Sequence, residues 1–141
     1  MPSYAPDGTP LATRDLGNLV TLTHLIYGLH AFAVVTGIAG SATIIGSFVA
    51  SVPSIVAVIL NYWKRAAVRG TWLDSHFRWQ IRTFWFALLW IVASVMLALT
   101  LIGIPFALVL IAGAGIWIVY RVARGWWNLL QRHTMPMPRE G

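Results

Sequence analysis

Apolar residues run along this chain in long unbroken stretches rather than in the narrow stripes of a soluble helix. From Leu16 to Trp63 there are 48 residues without Lys, Arg, Asp or Glu, and from Thr83 to Tyr120 there are 38 more. A helix crossing a hydrocarbon core about 30 Å thick needs roughly 20 residues. Each block is twice that length and predicts a helical hairpin. The first block breaks at Gly37-Ile38-Ala39-Gly40-Ser41, a run of small residues with poor helix propensity. The second breaks at Gly103-Ile104-Pro105, where proline suits the first turn of a new helix. The expected fold is an all-α integral membrane protein with four transmembrane helices at 18–38, 43–63, 83–102 and 105–123. Residues 1–15, with three prolines and a glycine, read as a flexible tail, 16–130 as the membrane domain and 131–141 as a second tail. A cleaved leader ending near Ala39-Gly40-Ser41 is the rival reading of the first span. That apolar run exceeds the roughly 7–15 residues of a signal peptide and abuts another span.

Between the two blocks lies the most patterned polar stretch, TWLDSHFRWQIR, from Thr71 to Arg82. On a helix Asp74, Arg78 and Arg82 fall on one face, and Asp74 with Arg78 is a favourable pair. Thr71 followed by Asp74 resembles a capping box. Leu73, Phe77 and Ile81 gather on a neighbouring face. The pattern predicts a short amphipathic helix over 71–82 that lies in the membrane interface and leads into the third span.

The charges orient the whole. Arg14 precedes the first block, and Lys64, Arg65, Arg69, Arg78 and Arg82 lie between the blocks. Arg121, Arg124, Arg132 and Arg139 follow the second. With four spans, all ten cations fall on one side and neither hairpin tip carries any. Cationic loops resist translocation, so that side, with both termini, is the cytoplasm. Trp63, Trp72, Trp79, Trp126 and Trp127 cluster at the same boundary, where indole rings anchor, while Trp90 and Trp117 lie deeper. A chain with 58% hydrophobic and 10% charged residues lacks the polar surface of a soluble domain. Its net charge of +6 flanks apolar segments, which points to anionic lipid headgroups rather than nucleic acid. Without cysteine there is no thiol redox chemistry, disulfide or thiolate metal site.

Lipid is as apolar as leucine, so helices there associate through small residues. Ala33 and Gly37 in the first span, Gly46, Ala50 and Ser54 in the second, and Gly113 within Ala112-Gly113-Ala114-Gly115 are the candidate packing positions. Pro53 predicts a kink in the second span. Neither charge-free block holds a carboxylate, Lys or Arg of the kind that pumps and ion-coupled carriers place near the midplane. No Ser/His/Asp set or carboxylate pair can be assembled there, so no enzyme is expected. His24 and His30 are weak cofactor candidates. Six residues apart, they point about 120° away from each other on one helix and cannot share a metal. A histidine so placed more often makes one interhelical hydrogen bond, here to Tyr27, Asn61 or a nearby hydroxyl. His76 is expected at the interface and His133 in the tail, and no cofactor or metal is expected.

Four stretches together carry a resemblance. They are NYWKR closing the second span, SHFRWQIRTFWF, the tip LIGIPFALVL, and IVYRVARGWW. They resemble a family of small bacterial membrane proteins related to the Tic-twenty component of the chloroplast inner-envelope translocon, over roughly Thr21 to Leu130. His76 matches the family's histidine after the basic loop, and Gly125 its glycine after the last helix. Where the family has an acid directly before that histidine, this chain has Ser75, with Asp74 one residue earlier. Where the family's tail ends in Tyr-Pro, Met135-Pro136 stands here. The resemblance implies a four-helix fold and does not carry a protein-import role.

The expected function is that of a non-enzymatic subunit of the bacterial inner membrane. It acts through helix packing and a basic cytoplasmic face, formed by Lys64, Arg65, Arg69, Trp72, Asp74, His76, Arg78, Trp79, Arg82, Arg121, Arg124, Trp126 and Trp127. Its expected partners are anionic lipids and another membrane protein or a second copy of itself. Two alternatives from other classes are a translocation or passive-channel component and a haem- or quinone-associated redox subunit.

Overall fold

In lipid a backbone must satisfy its own hydrogen bonds, and a single segment does so only as a helix. The computed structural model describes residues 11–40 and 44–136 together with Pro6 and Gly8, and the side chains of 13, 15–39 and 51–136 among them. Within those residues the chain forms four helices and no strand: α1 (Leu11–Gly40), α2 (Ile44–Val68), α3 (Leu73–Ala98) and α4 (Ile104–Leu130). Three segments are long and apolar enough to cross a membrane: Asp15–Ala39, Leu73–Ala98 and Leu101–Leu130. The 25-residue α2 continues through Pro53. α1 packs chiefly on α2 and α3 on α4, with lesser contacts of α1 to α4 and of α2 to α3.

The predicted break between the last two spans is present. Leu101–Gly103 forms a single 3-10 turn, and Pro105 sits in the first turn of α4. Gly103 donates its N–H to the Thr100 carbonyl at 2.8 Å. A Cβ there would run into the Leu97 carbonyl and lie 2.5 Å from the Thr100 hydroxyl, so the turn needs glycine.

Two local expectations are corrected. The amphipathic stretch 71–82 is not a separate interfacial helix, because α3 runs without interruption from Leu73 to Ala98. Its Leu73, Phe77 and Ile81 face is buried in protein rather than lying on lipid. Leu73 and Phe77 join Ile26, Tyr27, Ala57, Val68, Val122 and Leu129 in one core. Thr71 makes no capping box either: its hydroxyl turns back to the Val68 carbonyl at 2.7 Å, and no side chain caps α3. The Asp74–Arg78 pair forms as expected, at 3.0 Å.

Burial is lopsided along the bundle. The core cluster draws on Ile26 and Ala57 in the middle of α1 and α2 and on Phe77 and Val122 toward the charged ends of α3 and α4. Between 84 and 120, by contrast, the buried residues are Ser94, Gly103 and Ala107. Only 11% of the most apolar window in each of the last two segments is buried. Large apolar side chains such as Leu89, Met96, Leu101, Phe106 and Ile116 stand outward there. That inversion suits an apolar solvent.

Candidate functional site

Polar side chains that a helical bundle must bury have to find partners across helices or on their own backbone. In this chain they collect at the charged end, around His76. Two turns of α1 bring Tyr27 against the start of α3, where its hydroxyl lies 3.0 Å from His76 Nδ1. His76 Nε2 lies 2.7 Å from the His133 carbonyl. A carbonyl only accepts, so Nε2 carries the proton. In the neutral ring Nδ1 then accepts from Tyr27, which fixes the tautomer. The rings of Tyr27 and Trp72 both meet His76 edge-on, at centroid distances of 5.9 and 5.6 Å.

The same end of α3 holds the chain's tail. Ser75 donates its hydroxyl to the Trp72 carbonyl at 2.8 Å and accepts the Met135 N–H at 2.9 Å. Met135 is only 2% exposed. Residues 133–135 thus lie across the first turn of α3, strapped by two hydrogen bonds. His76, expected at the lipid interface, is fully enclosed, because Tyr27, Trp72 and this strap surround it. Its neighbours could not be read from the sequence, since 49 and 57 residues separate it from Tyr27 and His133.

Gly125 sets how closely α4 approaches α1. A Cβ at that position would stand 2.5–2.8 Å from the Tyr27 ring. His76 and Gly125 therefore both touch Tyr27. Glycine at the candidate packing position Gly113 behaves differently. A Cβ there, or at Gly115, would meet no heavy atom within 4 Å, so among the described residues neither glycine makes a close approach. Ala33 is buried, and Gly37 and Ser54 are half-buried. Gly46 and Ala50 lie outside the described side chains.

Arg121 forms the second half of the site. Its guanidinium stacks 3.4 Å over the Trp79 ring and donates to the Thr83 hydroxyl at 2.8 Å and to the Trp79 carbonyl at 3.4 Å. Trp79 returns its indole N–H to the Arg121 carbonyl at 3.1 Å. A stacked, hydrogen-bonded arginine contributes about 1–2 kcal/mol where it is partly desolvated. Arg124 lies 6.0 Å from the same Trp79 ring and donates to the Tyr120 hydroxyl at 2.5 Å.

His24 accepts the Trp126 indole N–H on Nδ1 at 3.1 Å. His30 shares a hydrogen bond with Ser54 at 3.1 Å, a hydroxyl partner of the kind expected, and Tyr27 is taken by His76. Each histidine thus ties α1 to a different helix, and among the described residues no three His, Cys, Asp or Glu side chains converge. His30 Nε2 and both amide atoms of the buried Gln80 have no partner among the described residues. Together with Tyr27, Trp79, Thr83, Arg121 and Val122 they line a cavity with about 10 Å³ of room, the space of one water. Asn61, fully buried, is likewise unpaired. Of the remaining interfacial candidates, Lys64 lies 5.2 Å from the Trp63 ring. Arg65, Arg69, Arg82 and Trp127 are exposed. Comparison with known proteins finds no family model, curated protein or solved structure that matches this chain.

Proposed function

We propose that this chain is a non-enzymatic multi-pass protein of the bacterial inner membrane, serving as an accessory or assembly subunit. α2 is its fourth span, the helices pair as two hairpins, and both termini are cytoplasmic. Four spans put all ten cations on one side, and the His76 and Arg121 networks lie at that same end of the bundle. Kinship with the Tic-twenty-like family is part of this reading, supported by the meeting of His76 and Gly125 at Tyr27.

The observation that carries the subunit role is the open strip on α4. Gly113 leaves space that no described side chain occupies, on a helix face shared with exposed Val109 and Ile116. Small residues in lipid let another helix approach closely, and this strip favours a helix of a second protein.

Purification of the tagged chain from native membranes in lipid nanodiscs, with mass spectrometry and an absorbance scan, tests the role. The expected result is a second protein in fixed ratio that is lost from the Gly113→Leu variant. Recovery as a colourless homo-oligomer would replace this reading with the channel one. A Soret band lost on substituting His24 or His30 would replace it with the redox one.

A further inference from the structure

The Arg121 shelf has a property that packing alone leaves unexplained: it is a cluster of cations without an anion. Arg121 and Arg124 share the Trp79 ring, and Arg82 and Arg124 both stand near enough to repel the Arg121 charge. Among the described residues no carboxylate acts on Arg121, and the ion pair is Asp74 with Arg78. Arg82 and Arg124 are exposed, so the cluster opens outward at the α3–α4 edge.

Immediately beyond it the surface changes character. Moving from Arg82 along α3, the outward side chains on the same side are Phe86 and Leu89, and moving back from Arg124 along α4 they are Tyr120 and Ile116. All are at least 44% exposed. A patch with cations at one end and exposed apolar side chains beyond them matches an amphiphile, not a free ion. Guanidinium groups favour phosphate oxygens because they present a planar fork of donors. Thr83 and the Trp79 carbonyl hold the Arg121 fork in place before any ligand arrives.

We infer that Arg82, Arg121 and Arg124 form a seat for the phosphate of an anionic phospholipid, whose acyl chains lie along the outward faces of α3 and α4. This rests on the membrane placement of α3 and α4 and is independent of whether a protein partner is found.

The experiment is thermal unfolding of the purified full chain in a mild detergent, with phosphatidylglycerol, phosphatidylcholine or inorganic phosphate added separately. Phosphatidylglycerol is expected to raise the Tm, and phosphatidylcholine and inorganic phosphate to do so far less. Arg82→Gln and Arg124→Gln alter exposed side chains, and each variant's lipid response is read against its own lipid-free Tm. Each should raise the half-saturating phosphatidylglycerol concentration about fivefold, the share of one arginine beside an anionic surface. An equal response to inorganic phosphate would make this a free-anion site and overturn the lipid assignment. An unchanged lipid response in both variants, or none in the parent chain, would overturn the seat itself.

Discussion

Tyr27 and His76 meet at 3.0 Å through the tyrosine hydroxyl and Nδ1, while the other face of the imidazole is held at 2.7 Å by the His133 carbonyl. One ring therefore joins α1, α3 and the C-terminal segment. The joint is specific because the carbonyl dictates the tautomer, and the tautomer dictates that Tyr27 donates.

Removing the hydroxyl alone should show what this joint contributes. Tyr27→Phe leaves Nδ1 buried and unpaired and is expected to cost about 1 kcal/mol, at the upper side of hydrogen bonds measured inside membranes. His76→Ala should cost more, because the His133 carbonyl and a cavity are left behind. In unfolding measurements the double variant should lose less than the two single losses added, since both remove one interaction. Additive losses would mean that the two residues do not act through each other.

The two glycines of α4 should part company under the same measurement. Gly125→Ala drives a methyl group into the Tyr27 ring and is expected to destabilise by about 1–3 kcal/mol. Gly113→Ala enters open space and should be neutral or stabilise by up to about 1 kcal/mol, alanine being the better helix former. Equal effects at both sites would contradict the close approach of α4 to α1.

How far such details were legible beforehand depends on distance along the chain. The helical class, the turn at Gly103 with Pro105 and the Asp74–Arg78 pair are local, set by neighbours within a few residues. Whether Leu73, Phe77 and Ile81 face lipid or protein was not readable, because both surroundings are apolar and select the same side chains. The Tyr27–His76–His133 joint and the Arg121–Trp79 stack connect residues 38 or more positions apart. Ser75 and Met135, bound to each other across 60 positions, were no more legible. Composition alone does not tell Gly125, which approaches Tyr27 closely, from Gly113, which faces open space.

The strap across α3 gives a third expectation. Truncation after Arg132 removes both the carbonyl that holds His76 Nε2 and the N–H that binds Ser75. Hydrogen exchange over residues 73–77 should then quicken markedly, while the α3 segment beyond Thr83 stays protected. Unchanged exchange at 73–77 would mean that the strap does not hold the start of α3.

Gln80 offers a prediction of opposite sign. Its amide is buried and unpaired, so Gln80→Leu exchanges an unsatisfied group for an apolar one of similar size. Such replacements are neutral or stabilising. A loss of more than about 1 kcal/mol in thermal or denaturant unfolding would show that the amide has a partner in the membrane-embedded protein.

The membrane arrangement beneath all of this is tested most directly by single-cysteine labelling, for which the chain is suited because it contains no cysteine. Ala39→Cys and Leu101→Cys probe the two uncharged tips, and Arg69→Cys probes the basic connection between α2 and α3. In intact cells whose outer membrane has been permeabilised, a membrane-impermeant maleimide should label the first two and spare the third until the inner membrane is broken. Labelling at residue 69 in intact cells, or protection at residue 39 with labelling at 101, would contradict four spans with a cytoplasmic basic face.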